Sequence, residues 1–310
     1  MILPYIARRV AGSLAVLLAV SLIVFLALGA TPGDAAAAMA GDSASAEQLA
    51  ALRAELGLDR TPLARYAAFL GGLATRGDLG RSLVGGRPVM ALVLERLPYT
   101  AALALAAVML AALLGGAGGA LAALRSGTLL DTTVMAGAAL GVAVPTFWSG
   151  LLLILLFSLH LRWLPVTGAD GPAHLILPAA TLALPTAAAV ARLVRSGLLD
   201  VLDADYVRTA HAKGLTAERV VTRHVLRNGL IPATAVLGLQ LGHLLGGAFI
   251  VETIFGWPGL GRLTVQAIFD RDEPVVLGAV LAAATMYLLV NLCVDLAHGW
   301  LDPRVGREAI

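Results

Sequence analysis

The feature that most constrains the fold of this chain is a series of apolar runs, each long enough to cross a lipid bilayer as a helix. A membrane-spanning helix needs about 20 apolar residues, because the hydrocarbon core is about 30 Å thick and each helical residue adds about 1.5 Å. Hydrophobic residues make up 59% of the 310 residues, and charged residues only 14%. The sequence therefore predicts an all-α, polytopic transmembrane helical bundle and excludes a soluble domain.

The apolar runs predict six membrane spans in a single transmembrane domain that covers residues 1–310. The first run is longer than the hydrophobic region of a signal peptide, which has about 7–15 residues, so we expect it to remain as a span. An even number of spans returns both ends of the chain to the same side of the membrane. The predicted spans are 9–30, 98–124, 132–160, 174–199, 229–251 and 275–297.

Positive charge predicts the orientation of these spans, because short loops rich in arginine and lysine usually stay in the cytoplasm. On one side the two short loops contain only Arg162, Arg262 and Arg271. Both termini and the 200–228 segment are therefore predicted to be cytoplasmic, and the 31–97 loop to be external. The basic residues on the predicted cytoplasmic side are Arg8, Arg9, Arg125, Arg192, Arg195, Arg208, Lys213, Arg219, Arg223, Arg227, Arg304 and Arg307.

Two segments of the 31–97 loop are predicted to be surface helices. SAEQLAALRAEL places Ser45 just before a helical pattern and Gln48 in its first turn, which is a capping box. PVMALVLERLP, from Pro88, is predicted to be an amphipathic helix that follows the membrane interface into the second span. These helices either dock a partner or cover the outer end of the bundle.

The residues that the chain lacks argue against several functional classes. A net charge of +2 is too small for a nucleic-acid-binding surface, and the single cysteine, Cys293, excludes an intrachain disulfide. The only lysine, Lys213, precedes a glycine, so the chain has no P-loop and is not an ATPase. The spacing of His160, Asp170 and His174 matches no metal-ligand pattern. We therefore predict a non-catalytic protein without a cofactor or a metal.

Polar residues are few within the predicted spans, and those in the fifth and sixth spans include Gln240, His243, Asn291 and Asp295. A carboxylate at the centre of a bilayer costs about 2.5–3.5 kcal/mol, and Asp295 avoids most of that cost near the cytoplasmic end of the sixth span. These residues either form hydrogen bonds between helices or belong to a pathway or gate. The spans contain no chain of charged groups, which argues against an ion-coupled secondary transporter.

Glycine and proline within the spans predict where helices pack closely and where they bend. Glycines at helical spacing allow two helix backbones to approach closely. In lipid no hydrophobic effect drives helices together, so this close van der Waals contact stabilises their association instead. They are Gly115 and Gly119 in the second span and Gly238, Gly242 and Gly246 in the fifth. Prolines remove helical hydrogen bonds and favour bends, and they are Pro145, Pro178 and Pro185.

The segment DADYVRTAHAKGLTAERVVTRHVLRNGLIP, residues 203–232, is polar although apolar runs flank it on both sides. Asp203 and Asp205 favour the positive end of a helix, and Gly214 favours the left-handed conformation that ends one. Thr216 is the predicted N-cap of a second helix that leads into the fifth span. The first helix would carry a small apolar stripe, suited to a groove in another protein, formed by Tyr206, Val207 and Ala210.

This segment resembles the cytoplasmic signature of the membrane subunits of ABC importers, and within them of the peptide and nickel group. The signature reads EAA, three residues, glycine, nine residues and I-x-L-P. Here Arg208–Ala210 occupies the EAA positions, Gly214 the glycine and His224–Arg227 the ending, so the first acid and the final proline are absent. Further matching motifs are LGLDR (56–60), GDLGRSL (77–83), ERLPYTAAL (95–103), VPTFWSGLLLI (144–154), RWLPVTG (162–168), VETIFGWPGLGRL (251–263), VNLCVDL (290–296) and LDPRV (301–305).

The resemblance implies a permease in a bacterial inner (plasma) membrane, in contact with membrane lipid. Its implied partners are a second homologous permease subunit, two ABC ATPase subunits and an external solute-binding protein. Peptides are the first expectation for the solute, and nickel or a nickel chelate is the alternative. The implied ATPase-coupling residues are Tyr206, Val207, Arg208, Ala210 and Gly214, and Trp257, Pro258 and Gly259 are implied to lie in the outer gate region.

Overall fold

The computed structural model describes residues 2–30, 45–55, 57 and 59–301. Apart from one isolated bridge between Arg81 and Pro88, these residues form helices and the turns that join them. The all-α prediction is therefore confirmed for the described part of the chain. The predicted LDPRV motif lies almost entirely outside it.

The helices are numbered in chain order. They are α1 Ile2–Ala30, α2 Ala46–Glu55, α3 Pro62–Arg76, α4 Val89–Leu124, α5 Leu129–Ala143, α6 Thr146–Leu153, α7 Ala173–Leu202, α8 Asp205–Ala212, α9 Ala217–Val220, α10 Leu226–Gly229, α11 Ile231–Gly247, α12 Phe249–Ile254, α13 Leu260–Phe269 and α14 Glu273–Leu301. A π-helical stretch, Ile154–His160, continues α6, and a second one, Val221–Val225, joins α9 to α10.

Within the described residues, four helices are long and apolar enough to cross a membrane. They correspond to the predicted first, second, fourth and sixth spans, and they are Ala7–Ala30, Val89–Leu124, Ala173–Leu202 and Glu273–Asp295. The predicted third span is a pair of helices bent by 110°, and the predicted fifth contains a shorter apolar helix, Ile231–Leu245. Four to five spanning segments thus follow from length and composition alone.

The bend in the third segment lies at Pro145. Val144 has φ −82° and ψ 126°, and a residue before proline is held in this extended region because the proline ring clashes with a helical neighbour. By contrast, α7 continues through Pro178 and Pro185. The prediction of a bend at proline is confirmed at Pro145, where the helix breaks completely.

The predicted interfacial helix from Pro88 is not a separate element. It forms the first turns of α4, which is 36 residues long and contains Pro98. At about 1.5 Å per residue this helix is longer than a membrane is thick, so one end of α4 extends beyond the hydrocarbon core. The predicted capping box of α2 is confirmed, since the Ser45 N–H donates to Gln48 Oε1 at 2.9 Å and the Gln48 N–H donates to Ser45 Oγ at 3.2 Å.

The chain divides into two compact units, of which the first comprises Met1–Thr100 and Pro258–Leu288. Its core brings the 79–93 region together with α13 and the first half of α14, and includes Leu79, Val89, Val93, Leu260, Val276 and Leu281. The buried carboxylate of Asp272 accepts hydrogen bonds from Ser82 Oγ at 2.5 Å and from the Leu83 N–H at 3.0 Å. These bonds anchor the turn that precedes α4.

The second unit comprises Ala101–Trp257 and Leu289–Ile310. In it α4 lies against α7 at the predicted glycines: a Cβ at Gly115 would lie 2.5 Å from the Ala187 carbonyl oxygen, and one at Gly119 would meet the Ala191 carbonyl oxygen. Likewise, a Cβ at Gly238 would lie 2.7 Å from Val294 Cγ1, which places α11 against α14. Gly242 is buried, and the packing at Gly246 is outside the described residues. Close helix packing is thus confirmed at Gly115, Gly119 and Gly238.

Candidate coupling site

The polar segment that was predicted to be cytoplasmic begins where α7 ends. Asp203 closes α7, Ala204 takes an extended conformation with ψ 144°, and α8 starts at Asp205. Asp205 therefore lies in the first turn, where its negative charge is favourable beside the free N–H groups of the helix start. Asp203 closes the preceding helix and does not begin α8, so only one of the two predicted acids occupies the helix start.

The end of α8 is a Schellman motif, in which a left-handed residue folds the chain back onto the last turn. Gly214 has φ +80°, its N–H donates to the His211 carbonyl at 2.9 Å, and the Leu215 N–H donates to the Ala210 carbonyl at 3.3 Å. Leu215 also packs against the apolar cluster that contains Ala210. The predicted role of Gly214 as the residue that ends this helix is confirmed.

The inner face of α8 packs within this chain. Val207 is 2% exposed and Ala210 7%, and both belong to a cluster with Leu198 of α7 and with Val220 and Val225 of the following segment. The predicted apolar stripe therefore exists, but two of its three residues are not free to enter a groove in another protein. Sequence periodicity located the stripe without showing what covers it.

The outer face of α8 is polar and accessible. Tyr206 is 44% exposed, and its hydroxyl accepts a hydrogen bond from Asn228 Nδ2 at 3.1 Å. Arg208 Nη1 lies 3.7 Å from Asp205 Oδ1, but both side chains are so exposed that water screens this pair and leaves the guanidinium able to bind elsewhere. Lys213 is also exposed. A partner protein would meet these side chains first.

The helical segment after Gly214 begins at α9. Thr216 has the extended backbone of an N-cap, with ψ 148°, but its side chain makes no capping hydrogen bond in the described structure. The predicted position of the cap is therefore confirmed. Burial of Val220 and Val225 holds this segment in place instead.

A partly buried ion pair holds α7 in place near its C-terminal end. Arg195 donates through Nε to Asp131 Oδ1 at 2.5 Å and through Nη2 to Asp131 Oδ2 at 2.7 Å, and the Gly127 N–H donates to the same carboxylate at 3.0 Å. Asp131 is 5% exposed. The pair joins the start of α5 and the preceding turn to the C-terminal half of α7. In the sequence, Arg195 was interpreted only as a charge that sets the topology. The pair could have been suspected because Asp131 and Arg195 both interrupt apolar runs.

The predicted pathway residues lie on two helices of the second unit. Gln240 and His243 are on α11, and Asn291 and Asp295 are on α14, which contacts α11 at Gly238. Gln240 Nε2 lies 3.4 Å from Thr186 Oγ1 of α7, His243 is exposed, and Asn291 Oδ1 is buried without a hydrogen-bond partner among the described residues. The structure thus places these residues on neighbouring helices.

The predicted gate residues belong to the turn between α12 and α13. Trp257 is 5% exposed and its N–H donates to the Glu252 carbonyl at 2.8 Å, and Gly259 precedes α13 in an extended conformation. Sequence analysis did not single out Glu252 or Phe255, although they are 0% and 1% exposed. Phe255 packs near Gly150, and its carbonyl accepts a hydrogen bond from the Gly168 N–H at 3.2 Å.

Comparison with known families matches nearly the whole chain. Residues 115–307 match the family described as "Binding-protein-dependent transport system inner membrane component". Residues 2–104 match the N-terminal family of the same membrane components. The first match alone covers more than half of the chain.

Similar proteins include named transport permeases. The chain is 40% identical over 303 residues to the glutathione transport system permease protein GsiC of Escherichia coli K12, covering 98% of this chain and 99% of that protein. It is 42% identical over 281 residues to the di/tripeptide transport system permease protein DppB of Pseudomonas aeruginosa, covering 82% and 83%. It is also 40% identical over 295 residues to the dipeptide transport system permease protein DppB of Escherichia coli K12, covering 85% and 87%.

Solved structures with a similar fold include an amino acid ABC transporter with histidines, with a TM-score of 0.52, 21% identity and coverage of 67% of this chain and 92% of that chain. The inward-facing MetNI methionine ABC transporter matches with a TM-score of 0.53 and 20% identity, covering 67% and 95%. Both likenesses concern the fold. The chain therefore belongs to the family of binding-protein-dependent transport system inner membrane components, and it is a non-catalytic permease subunit of an ABC importer in the bacterial inner membrane.

Proposed function

We propose that this subunit forms the translocation pathway for short peptides in an ATP-driven importer. The observation that carries the substrate class is the 40–42% identity to permeases named for glutathione, for di- and tripeptides and for dipeptides, over most of the chain. Glutathione is itself a tripeptide, so the three names describe one chemical class. An external solute-binding protein would deliver the peptide.

The energy enters through α8. Because the chain has no P-loop, ATP hydrolysis belongs to separate ATPase subunits. We infer that one ATPase subunit holds the outer face of α8, formed by Tyr206, Arg208 and the end of the helix at Gly214. Val207 and Ala210 connect that face to the rest of the second unit through the apolar cluster that they share with Leu198, Val220 and Val225. A ligand shifts the equilibrium between two conformations of a protein only through contacts that differ between those conformations. In this complex ATP makes such contacts in the ATPase subunit, which passes the change to α8.

The proposed topology has six spans with both termini in the cytoplasm. Four long helices, the bent pair taken as one span and the short helix Ile231–Leu245 together supply six segments. In this arrangement 31–97 is an external loop and 200–228 is the cytoplasmic coupling loop of a single domain, residues 1–310. A second homologous permease and two ATPase subunits would complete the complex.

The pathway itself is proposed to pass the polar residues of α11 and α14. Gln240, His243, Asn291 and Asp295 supply hydrogen-bonding groups on two helices that touch at Gly238. These four residues do not form a chain of charged groups. Their composition fits a pathway that passes its solute without binding it tightly. The turn at Trp257, Pro258 and Gly259 is the proposed outer gate.

Reconstitution tests the proposal directly. The complete complex, with its ATPase subunits and partner permease in proteoliposomes, should accumulate radiolabelled di- and tripeptides only when ATP and the external binding protein are present. Uptake of nickel or a nickel chelate in place of peptides would contradict the substrate class. Uptake by the permease alone, driven by an ion gradient, would contradict the ABC mechanism and indicate a secondary transporter.

A further inference from the structure

The first unit contains a cavity of about 300 Å³ that is lined by both apolar and charged side chains. Its apolar lining includes Phe25 and Leu28 of α1, Phe69 of α3 and Leu277 of α14. Its charged lining comprises Arg60, Arg65, Arg76, Asp78 and Glu273. No residue assigned to coupling or to the transport pathway lines this cavity.

The walls are held together by specific contacts. Tyr66 of α3 shares a hydrogen bond with Ser21 of α1 at 2.7 Å, and its ring lies 5.4 Å from that of Phe25. Arg65 lies 5.6 Å above the Phe25 ring and pairs with Glu273 at 2.5 Å. The cavity is therefore a built feature that joins α1, α3 and the start of α14.

The charges that line the cavity leave a positive surplus. Three arginines and two carboxylates line the cavity, which leaves a net charge of +1. Glu273 is paired with Arg65, and Asp78, whose Oδ1 accepts a hydrogen bond from the Gly80 N–H at 2.9 Å, keeps its negative charge. Within the described part of the chain, the side chains of Arg60 and Arg76 have neither an acidic partner nor a hydrogen bond. Two guanidinium groups are thus free to bind an anion.

The apolar wall indicates what kind of anion fits. In the most apolar stretch of α1 only 6% of the residues are buried within this chain, so most of this helix is an apolar surface of the kind that lies against lipid. Phe25 and Leu28 lie in its last turns, where a span leaves the hydrocarbon core and meets the headgroup layer. A guanidinium group binds phosphate with paired hydrogen bonds, and basic pockets beside membrane helices suit phospholipid headgroups.

We propose that this cavity binds the phosphodiester headgroup of an anionic phospholipid. Arg60 and Arg76 hold the phosphate, and Phe25 and Leu28 contact the beginning of an acyl chain. The bound lipid joins α3 to α1 at the membrane surface. This proposal does not depend on the identity of the transported solute.

Native mass spectrometry of the purified, delipidated chain with added phosphatidylglycerol tests the site. The double variant Arg60→Gln/Arg76→Gln should weaken lipid binding by about 10-fold or more, because it removes two charge-assisted interactions. Arg87→Gln is the matched control, since it removes a positive charge from the same unit outside the cavity, where Arg87 pairs with Glu95. The control should bind phosphatidylglycerol as the native chain does.

A charge-preserving variant separates the cavity from general electrostatic attraction. Ala68 is exposed and lines the cavity, so Ala68→Trp would block it while keeping every arginine. This variant should also lose tight lipid binding, with an unchanged thermal unfolding midpoint. Equal lipid binding by the native chain, the double variant and Ala68→Trp would overturn the proposal.

Competition identifies the source of the anion. Water-soluble glycerophosphate should compete at least about 10-fold more weakly than phosphatidylglycerol, because it lacks the chain that contacts Phe25 and Leu28. Equal competition would show a site for a soluble anion instead of a lipid. Loss of binding-protein docking in the double variant, with unchanged lipid binding, would show a protein interface and would likewise overturn the proposal.

Discussion

At the scale of single residues, glycine occupies two physically different environments in this protein. Gly214 has φ +80° with no atom within 4 Å of the place where a Cβ would stand. A side chain there would cost about 1–2 kcal/mol of backbone strain and no steric clash. At Gly115 the constraint is steric, since a Cβ added there would lie 2.5 Å from the Ala187 carbonyl oxygen. The first glycine sets a helix end, and the second allows two helices to meet.

We predict that Gly214→Val leaves membrane insertion intact but uncouples ATP turnover from uptake. A β-branched residue disfavours the left-handed conformation that the Schellman motif requires. We therefore expect the hydrogen bonds of this motif to break and the C-terminal end of α8 to shift. Proteoliposomes of the full complex should show a peptide-to-ATP ratio reduced several-fold. Unchanged uptake together with unchanged ATP hydrolysis would refute the coupling role.

Gly77 supplies the matched control for this experiment. It closes α3 with φ +62° and also has no atom within 4 Å of a would-be Cβ. Gly77→Val therefore introduces comparable backbone strain at a helix end outside the coupling segment. The ratio of uptake to ATP hydrolysis should stay at the native value in this variant.

At the scale of secondary-structure elements, α8 depends on the structure around it. An eight-residue helix is too short to be stable alone, since isolated helices need about 12–15 residues. Its position is set by burial of Val207 and Ala210 against Leu198, Val220 and Val225. We therefore expect movement of α8 by a partner to act on this shared apolar cluster, which includes Leu198 of α7 and Val220 of α9.

The Asp131–Arg195 pair is expected to stabilise the α7 region to which α8 is attached. Asp131→Asn keeps the side-chain shape but leaves the partly buried Arg195 without its counter-charge, and breaking such a pair destabilises a protein. The thermal unfolding midpoint of the purified chain should fall by at least about 2 °C. A calorimetric or fluorescence melt in detergent measures this.

The exposed pair of Arg87 and Glu95 is the control for that melt. Both side chains are about half exposed, so the pair contributes little, and Arg87→Ala should leave the midpoint nearly unchanged. Equal midpoints for Asp131→Asn and the native chain would contradict a structural role for the buried pair.

Proline shows how far an element can be predicted from its sequence. The same residue type predicts a bend at Pro145, Pro178 and Pro185, yet the helix breaks only at Pro145 and α7 continues through the other two. The buried residues around Pro178 and Pro185 hold α7 along its length. Neighbouring contacts therefore decide whether a lost hydrogen bond becomes a break.

At the scale of the whole molecule, the path of the bent pair decides on which side of the membrane its two flanking connections lie. If it is one span, the turn after α4 and the loop after the π-helical stretch lie on opposite sides. If the 110° bend makes it re-entrant, both lie on the same side.

We predict that these two connections are on opposite sides. In a Cys293→Ser background, which removes the only cysteine, Ser126→Cys and Thr167→Cys place single exposed thiols in the two connections. A membrane-impermeant maleimide should label Thr167→Cys in spheroplasts, and Ser126→Cys only after permeabilisation. Labelling of both thiols from the same side would reduce the number of spans and overturn the six-span topology.

The sequence by itself determined the membrane class, the long helices, the capping box at Ser45 and the end of α8 at Gly214. Each of these depends on local properties, namely apolar length, side-chain capping or a left-handed backbone. Only the tertiary structure decided that Val207 and Ala210 face inward, that Asp131 pairs with a residue 64 positions away, and that Pro145 alone breaks its helix. These outcomes depend on contacts between residues far apart in the chain, which sequence periodicity does not encode.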